Sequence, residues 1–302
     1  MREIRIPAFA KVNLCLDILG RRADGYHELR TIFQTISLHD ELRLRSTRSS
    51  GISLTIHGNE ILSREPFRTN LVYRAVNAVQ RELKVRSGVE IQLHKKIPAG
   101  RGLGGGSSDA AAALIGYLRL IKRRVPLPRL VEIASFLGAD VPFFLFGGRA
   151  LGIGKGDEIY PLSDIPKRYV LVVSPRDIHV PTPDAYRWLR APALTKKQAA
   201  PTLFRFCALC WSTQWNGLSN DFEPAVFRRH PRLAVIKRAL LQAGATEASL
   251  AGSGSAVFGV FPSPALARRA AVGFPDDQTF VCETMSRDGY LRNAKAESVF
   301  VS

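Results

Sequence analysis

Pro98-Ala99-Gly100-Arg101-Gly102-Leu103-Gly104-Gly105-Gly106-Ser107-Ser108 is the stretch on which the reading of this chain turns. Five of the seven residues from Gly100 to Gly106 are glycine, so the backbone can adopt conformations that side chains forbid. Its amide N–H groups can also come close to an anion. Ahead of the run, Val89, Ile91, Leu93 and Ile97 alternate with Glu90, Gln92, His94 and Lys96, the period of a strand. Behind it, Asp109 opens an alanine-rich helix to about Lys122. The free N–H groups and positive dipole end of that helix face the glycines, and Ser107 and Ser108 add hydroxyls. Strand, glycine loop and helix make a phosphate cradle.

The pattern alone leaves alternatives. Gly100, Gly102 and Gly105 satisfy G-x-G-x-x-G, the dinucleotide-binding spacing, which requires an acidic residue about 20 positions on at the end of a strand. The chain there reads Ile121-Lys122-Arg123-Arg124-Val125-Pro126, basic and without a strand. No G-x-x-x-x-G-K-[ST] occurs either. A merely flexible turn fits poorly with so many glycines before a strong helix.

Working outward, residues 4–18 alternate with period two, placing Lys11 and Asn13 side by side on a polar face that points away from the core. A loop at 21–27 leads to strands at 28–37, 42–45 and 52–57. Thr69-Asn70 caps a helix that carries Leu71, Ala75, Ala78, Val79 and Leu83 on one face. From about Tyr169 the order is a strand at 169–174, a helix at 233–243 followed by Gly244, and a strand, glycine loop and strand over 248–261. A helix at 265–272 and a strand at 279–283 follow. Without steady βαβ alternation this is an α+β chain. Its expected domains are 1–165 and 166–302.

At 302 residues, 46% hydrophobic and 23% charged, the composition is that of a soluble globular protein with room for two cores. The apolar run Val141-Pro142-Phe143-Phe144-Leu145-Phe146 is far short of the roughly 18 residues of a membrane span. The N-terminus enters alternating sequence at once, so neither a leader nor a membrane is expected, and the cytoplasm is the default. A net charge of +17 suits polyanionic partners, nucleic acid or phosphorylated small molecules. The basic residues are scattered, without the clustered, aromatic-interleaved stripe of a nucleic-acid binder. Cys207 and Cys210 form a lone C-x-x-C in what reads as an apolar helix, where cysteine is a small hydrophobe rather than a zinc ligand.

The glycine run resembles the ATP motif of the galactokinase, homoserine kinase, mevalonate kinase and phosphomevalonate kinase (GHMP) superfamily. Ala10-Lys11-Val12-Asn13-Leu14-Cys15-Leu16, Asp24-Gly25-Tyr26-His27-Glu28-Leu29 and Leu137-Gly138-Ala139-Asp140-Val141-Pro142-Phe143-Phe144 narrow the resemblance. They point to the 4-diphosphocytidyl-2-C-methyl-D-erythritol kinase family. Leu250-Ala251-Gly252-Ser253-Gly254-Ser255-Ala256 resembles the superfamily's third motif, and Asn220-Asp221-Phe222-Glu223 is a further familiar string. The resemblance implies a ribosomal protein S5 second-domain-like N-terminal domain and a ferredoxin-like C-terminal one. It implies Asp140 as catalytic base, Lys11 as its partner, and Asn13 as a substrate contact. Tyr26, His27 and Tyr186, with Phe33 and Thr182, are implied around a cytidine. Asn70, Lys96 and the run from Pro98 to Ser108 are implied around ATP. As bland alternatives, Asp140 is a turn former, Lys11 an exposed strand lysine, His27 a loop histidine and Asn70 a plain helix cap. Mg2+ is expected with ATP, with no protein ligand named. The implied partner is a small molecule, with no nucleic acid, and the chain is expected to be a monomer or weak homodimer.

Overall fold

The computed structural model describes residues 2–192 and 217–301. Strands β1 (Glu3–Arg21) and β2 (His27–Thr47) form one long antiparallel hairpin, paired from Glu3 with Arg45 to Arg21 with His27. The strands expected at 28–37 and 42–45 are thus a single one. Its polar interruption, Asp40, is fully buried because Lys95 and the amides of Lys96 and Ile97 satisfy its carboxylate. Register shifts in the β1–β2 pairing after Phe9, Asn13 and Ile18 re-aim the side chains. Ile6, Ala8 and Phe9 therefore enter one core and Ala10, Val12 and Leu14 another. Strand β1 is buried on both faces in its middle, so Lys11 and Asn13, expected to point away from the core, are only 4% and 2% exposed.

Strand β3 (Ile52–His57) and short α1 (Glu60–Arg64) precede α2 (Leu71–Glu82). The Asn70 carboxamide caps α2 by accepting from Val72 N–H at 2.9 Å. Val72, Ala75, Val76 and Val79 form its buried stripe. Strand β4 (Gly88–His94) lies between β3 and β2. Helix α3 (Gly105–Ile121) starts four residues before the expected Asp109, inside the glycine run. Gly104 supplies the left-handed turn (φ 72°) from which it springs. Ser107 and Ser108 consequently belong to its first turn. Alanines 110 to 113 let α3 lie buried against β1 and α2.

A two-residue strand, β5 (Val125–Pro126), forms where the sequence suggests none. Helices α4 (Leu127–Leu137) and α5 (Phe143–Phe146) flank the turn that holds Asp140. Strands β6 (Arg149–Ile153) and β7 (Glu158–Pro161) extend the sheet from β2.

A second, antiparallel sheet begins with β8 (Tyr169–Ser174), followed by α6 (Thr182–Leu189). Next come β9 (Ser219–Asn220), α7 (Glu223–Arg229), α8 (Pro231–Gln242), β10 (Glu247–Leu250) and β11 (Val257–Phe261). Helix α9 (Pro264–Ala271) and β12 (Gln278–Glu283) complete it, in the strand order β10-β11-β8-β12. Past α8, Gly244 takes φ +96°. The chain beyond residue 166 also returns to the first body. Strand β9 pairs with Cys15 and Leu16 of β1. Helix α10 (Arg287–Ala294) packs on the first core, and β13 (Phe300–Val301) pairs with β5. Cys207 and Cys210 lie outside the described residues. No helix among those described is long and apolar enough to cross a membrane.

Candidate active site

A cleft of about 1210 Å³ opens between the two sheets. The residues nominated from sequence line it, except Lys96 and Ser108. The Lys96 side chain is exposed, and its backbone N–H donates to Asp40. Ser108 is buried. Lys95, not nominated, lines the cleft instead.

The glycine run is held at close quarters. A Cβ on Gly102 (φ +79°) would sit 1.8 Å from the Ala251 carbonyl oxygen, so only glycine lets this loop touch the turn at 251–254. Lys11 N–H donates to Leu103 O at 3.0 Å, and Ala256 N–H to Arg101 O at 3.2 Å. The Arg101 guanidinium reaches across to Ser255 Oγ at 2.6 Å. Beneath the run, Lys95 Nζ donates to Asp40 at 2.5 Å and to Asp109 at 2.6 Å, all three buried. Burial pulls the Lys95 ammonium down, but the two carboxylates together outweigh it and leave it above its usual range. Burial pushes the Asp109 carboxyl up to about 8 despite Lys95, so two acids share one ammonium.

Lys11 Nζ lies 3.5 Å from Asp140 Oδ2 and donates to Asn13 Oδ1 at 2.8 Å. Asn13 donates to Thr31 Oγ1 at 2.7 Å, and Thr31 to Cys15 O at 2.7 Å. The Phe33 ring lies 5.3 Å from the ammonium. Residues 11 and 13 of one strand thus hold a fixed cation beside a carboxylate that is one-third exposed to the cleft. Such a pair can take a proton from a bound hydroxyl while the ammonium offsets negative charge.

The opposite wall is aromatic. His27 and Tyr186 stack at 4.5 Å and 22°, and Phe222 meets Tyr186 edge-on at 4.9 Å. At that separation no third ring fits between His27 and Tyr186, so a flat base would lie on an outer face. Burial, with the charge of Asp140 adding to it, pushes the Tyr186 phenol up to about 12. Burial and then Arg21 hold the His27 imidazole below its usual value. Tyr26 sits on the rim, with Lys155 Nζ 4.9 Å over its ring. Thr182 Oγ1 and Ser253 Oγ are 3.0 Å apart across the mouth.

Sequence reading passed over Lys95, Asp40, Asp109, Lys155 and Phe222. One signal was available: Lys95 occupies the buried parity of Val89, Ile91, Leu93 and Ile97, where a charge demands a partner.

Residues 70–148 match the family described as GHMP kinases N terminal domain, and residues 196–276 match GHMP kinases C terminal. A 4-diphosphocytidyl-2-C-methyl-D-erythritol kinase of Solibacter usitatus is 45% identical over 96% of this chain and 91% of its own. One from Pelotomaculum thermopropionicum is 39% identical over 92% and 97%. A crystal structure of 4-(cytidine 5'-diphospho)-2C-methyl-D-erythritol kinase superposes with a TM-score of 0.75 at 36% identity, covering 93% of this chain and 99% of that one. Homoserine kinase from Cytophaga hutchinsonii, at 22% identity and a TM-score of 0.71 over 95% of each chain, shares the fold. With relatives this similar over nearly its whole length, the chain belongs to the 4-diphosphocytidyl-2-C-methyl-D-erythritol kinase family, with the α+β two-domain fold of the GHMP kinases.

Proposed function

We infer that this chain is an ATP-dependent kinase that phosphorylates the 2-hydroxyl of 4-diphosphocytidyl-2-C-methyl-D-erythritol, a step of the non-mevalonate isoprenoid route. The observation that carries the reading is the 3.5 Å Lys11–Asp140 pair, set in one cleft between the glycine run and the aromatic wall. In this reading Asp140 accepts the proton of the attacking hydroxyl. The new bond joins the acceptor oxygen to the γ-phosphorus, and the bond to the bridging oxygen breaks, so ADP leaves. Lys11 offsets charge on the phosphoryl oxygens, and Asn13 keeps that ammonium aimed. The amides from Gly100 to Ser107 and the start of α3 cradle the phosphates. Asn70 and Lys95 border the donor end of the cleft.

The acceptor's cytosine lies against Tyr186, His27 and Tyr26, with Phe33 and Thr182 nearby. Arg21, Lys155, Arg187 and Arg190 line the same cleft and suit the charge of a diphosphate. Among the described residues no group of three or more His, Cys, Asp or Glu could hold a metal. Mg2+ entering with ATP would be held by the nucleotide's own phosphates and water and would neutralise phosphate charge there. A division near residues 165 and 166, a cytoplasmic setting and a monomer or weak homodimer complete the proposal. ADP release with Mg-ATP and the cytidyl acceptor, beside homoserine, mevalonate and galactose, tests it. Turnover of the first alone is expected. A folded protein that turns over another acceptor, or none, would overturn it.

A further inference from the structure

None of the side chains in Asn220-Asp221-Phe222-Glu223 serves as a reacting group in the reading above, yet together they reach several supports of the cleft. Asn220, 7% exposed, donates its carboxamide protons to the carbonyls of Leu250 and Gly252, both at 2.8 Å, while its Oδ1 accepts from Phe222 N–H at 2.9 Å. Asp221 accepts from Ile18 N–H at 2.8 Å and donates its own N–H to Leu16 O at 3.0 Å, tying the segment to β1. Phe222 is buried with its ring against Tyr186. Glu223 Oε1 accepts from Ser249 Oγ and Leu250 N–H at 3.0 Å each, and Oε2 from Lys237 at 2.6 Å.

We propose that residues 220–223 form a positioning strap for phosphoryl transfer, with Asn220 setting the turn at 251–254 and Phe222 setting the Tyr186 ring. This rests on the kinase reading of the cleft. The two carbonyls that Asn220 holds flank Ala251, whose own carbonyl is the atom packed against Gly102. Beside it, a Cβ on Gly252 would lie 3.0 Å from Gly102 O and 3.4 Å from Lys11 Nζ. One buried carboxamide therefore fixes the turn that abuts both the glycine run and the ammonium beside Asp140. Without those two protons the Gly252 carbonyl loses the donor that Asn220 supplies, the Leu250 carbonyl keeps only Ser249 Oγ at 3.5 Å, and the turn moves. Phe222 acts on the other arm, where its T-shaped contact holds the Tyr186 ring that meets an acceptor base.

The two arms predict different kinetics. Asn220→Asp keeps the size and loses the donors, and should lower kcat about tenfold or more while the acceptor KM stays within about threefold. Phe222→Leu should raise the acceptor KM about tenfold with kcat nearly unchanged. The assay is steady-state ADP release by the full chain, with folding checked by circular dichroism. If wild type does not turn over the acceptor, the kinase reading fails. The strap is overturned if wild type is active and Asn220→Asp matches it within about twofold, or if both variants change kcat and KM alike. Should Asn220→Asp not fold, Glu223→Ala tests the same arm, and an unchanged kcat there also overturns it.

Discussion

Replacing Gly102 with alanine perturbs a point where the two glycine turns meet. The new methyl would lie 1.8 Å from Ala251 O, 2.7 Å from Ala251 C and 3.2 Å from Gly254 N. An ordinary carbon–oxygen contact is about 3.4 Å, so the turns must part by about 1.5 Å. The backbone at φ +79° adds about 1–2 kcal/mol for a residue with a Cβ, and overpacking adds about 1–3 kcal/mol. The sum, about 2–5 kcal/mol, corresponds to a loss of roughly 3–8 °C in Tm. A shift of about 1 Å in the groups around the γ-phosphoryl costs about 100-fold in rate. The assay pairs ADP release with thermal unfolding and uses Gly106→Ala as the contrast for stability. There the nearest atom is Leu71 Cδ1 at 3.8 Å on a helical backbone, so Tm should hold or rise. Wild-type kcat and Tm in Gly102→Ala would refute the close packing of the turns.

Two further outcomes follow from the site. Burial raises the Asp109 carboxyl to about 8 from the roughly 4 of an unfolded chain, so the native state binds this proton more tightly. Its stabilising contribution is full below about pH 4 and is lost as pH rises through about 8. Wild-type Tm should therefore fall more steeply between pH 5 and 9 than that of Asp109→Asn, and equal slopes would contradict a carboxyl raised by burial. Tyr186→Ala removes a stacking face worth about 1–3 kcal/mol, so the acceptor KM should rise roughly 5- to 150-fold while the KM for ATP holds. An unchanged acceptor KM would move the cytosine elsewhere.

Strand and helix positions were largely legible because their burial follows simple periods. Strand β8 occupies 169–174 as the apolar run suggests, and the Asn70 cap of α2 is a local hydrogen bond that the local sequence announces. What escaped depends on contacts distant in sequence. Asp40 sits inside a continuous strand only because Lys95, 55 residues on, neutralises it. The start of α3 within the glycines depends on Gly104 turning left-handed between Lys11 and Phe144. The pairing of Lys11 with Asp140, and of His27 with Tyr186, joins segments more than 100 residues apart, which only the family resemblance could suggest. The strap at 220–223 was visible as a string and gained a role only when its hydrogen bonds reached the turn at 251–254.

The most direct measurement is 31P NMR of the product formed from ATP and 4-diphosphocytidyl-2-C-methyl-D-erythritol, by wild type and by Asp140→Asn. The account predicts a new phosphomonoester signal, coupled to the methyl-bearing carbon, with wild type. Asp140→Asn should leave most of the acceptor unphosphorylated while still binding ATP. Wild-type yield from Asp140→Asn, or a phosphate on any other hydroxyl, would contradict it.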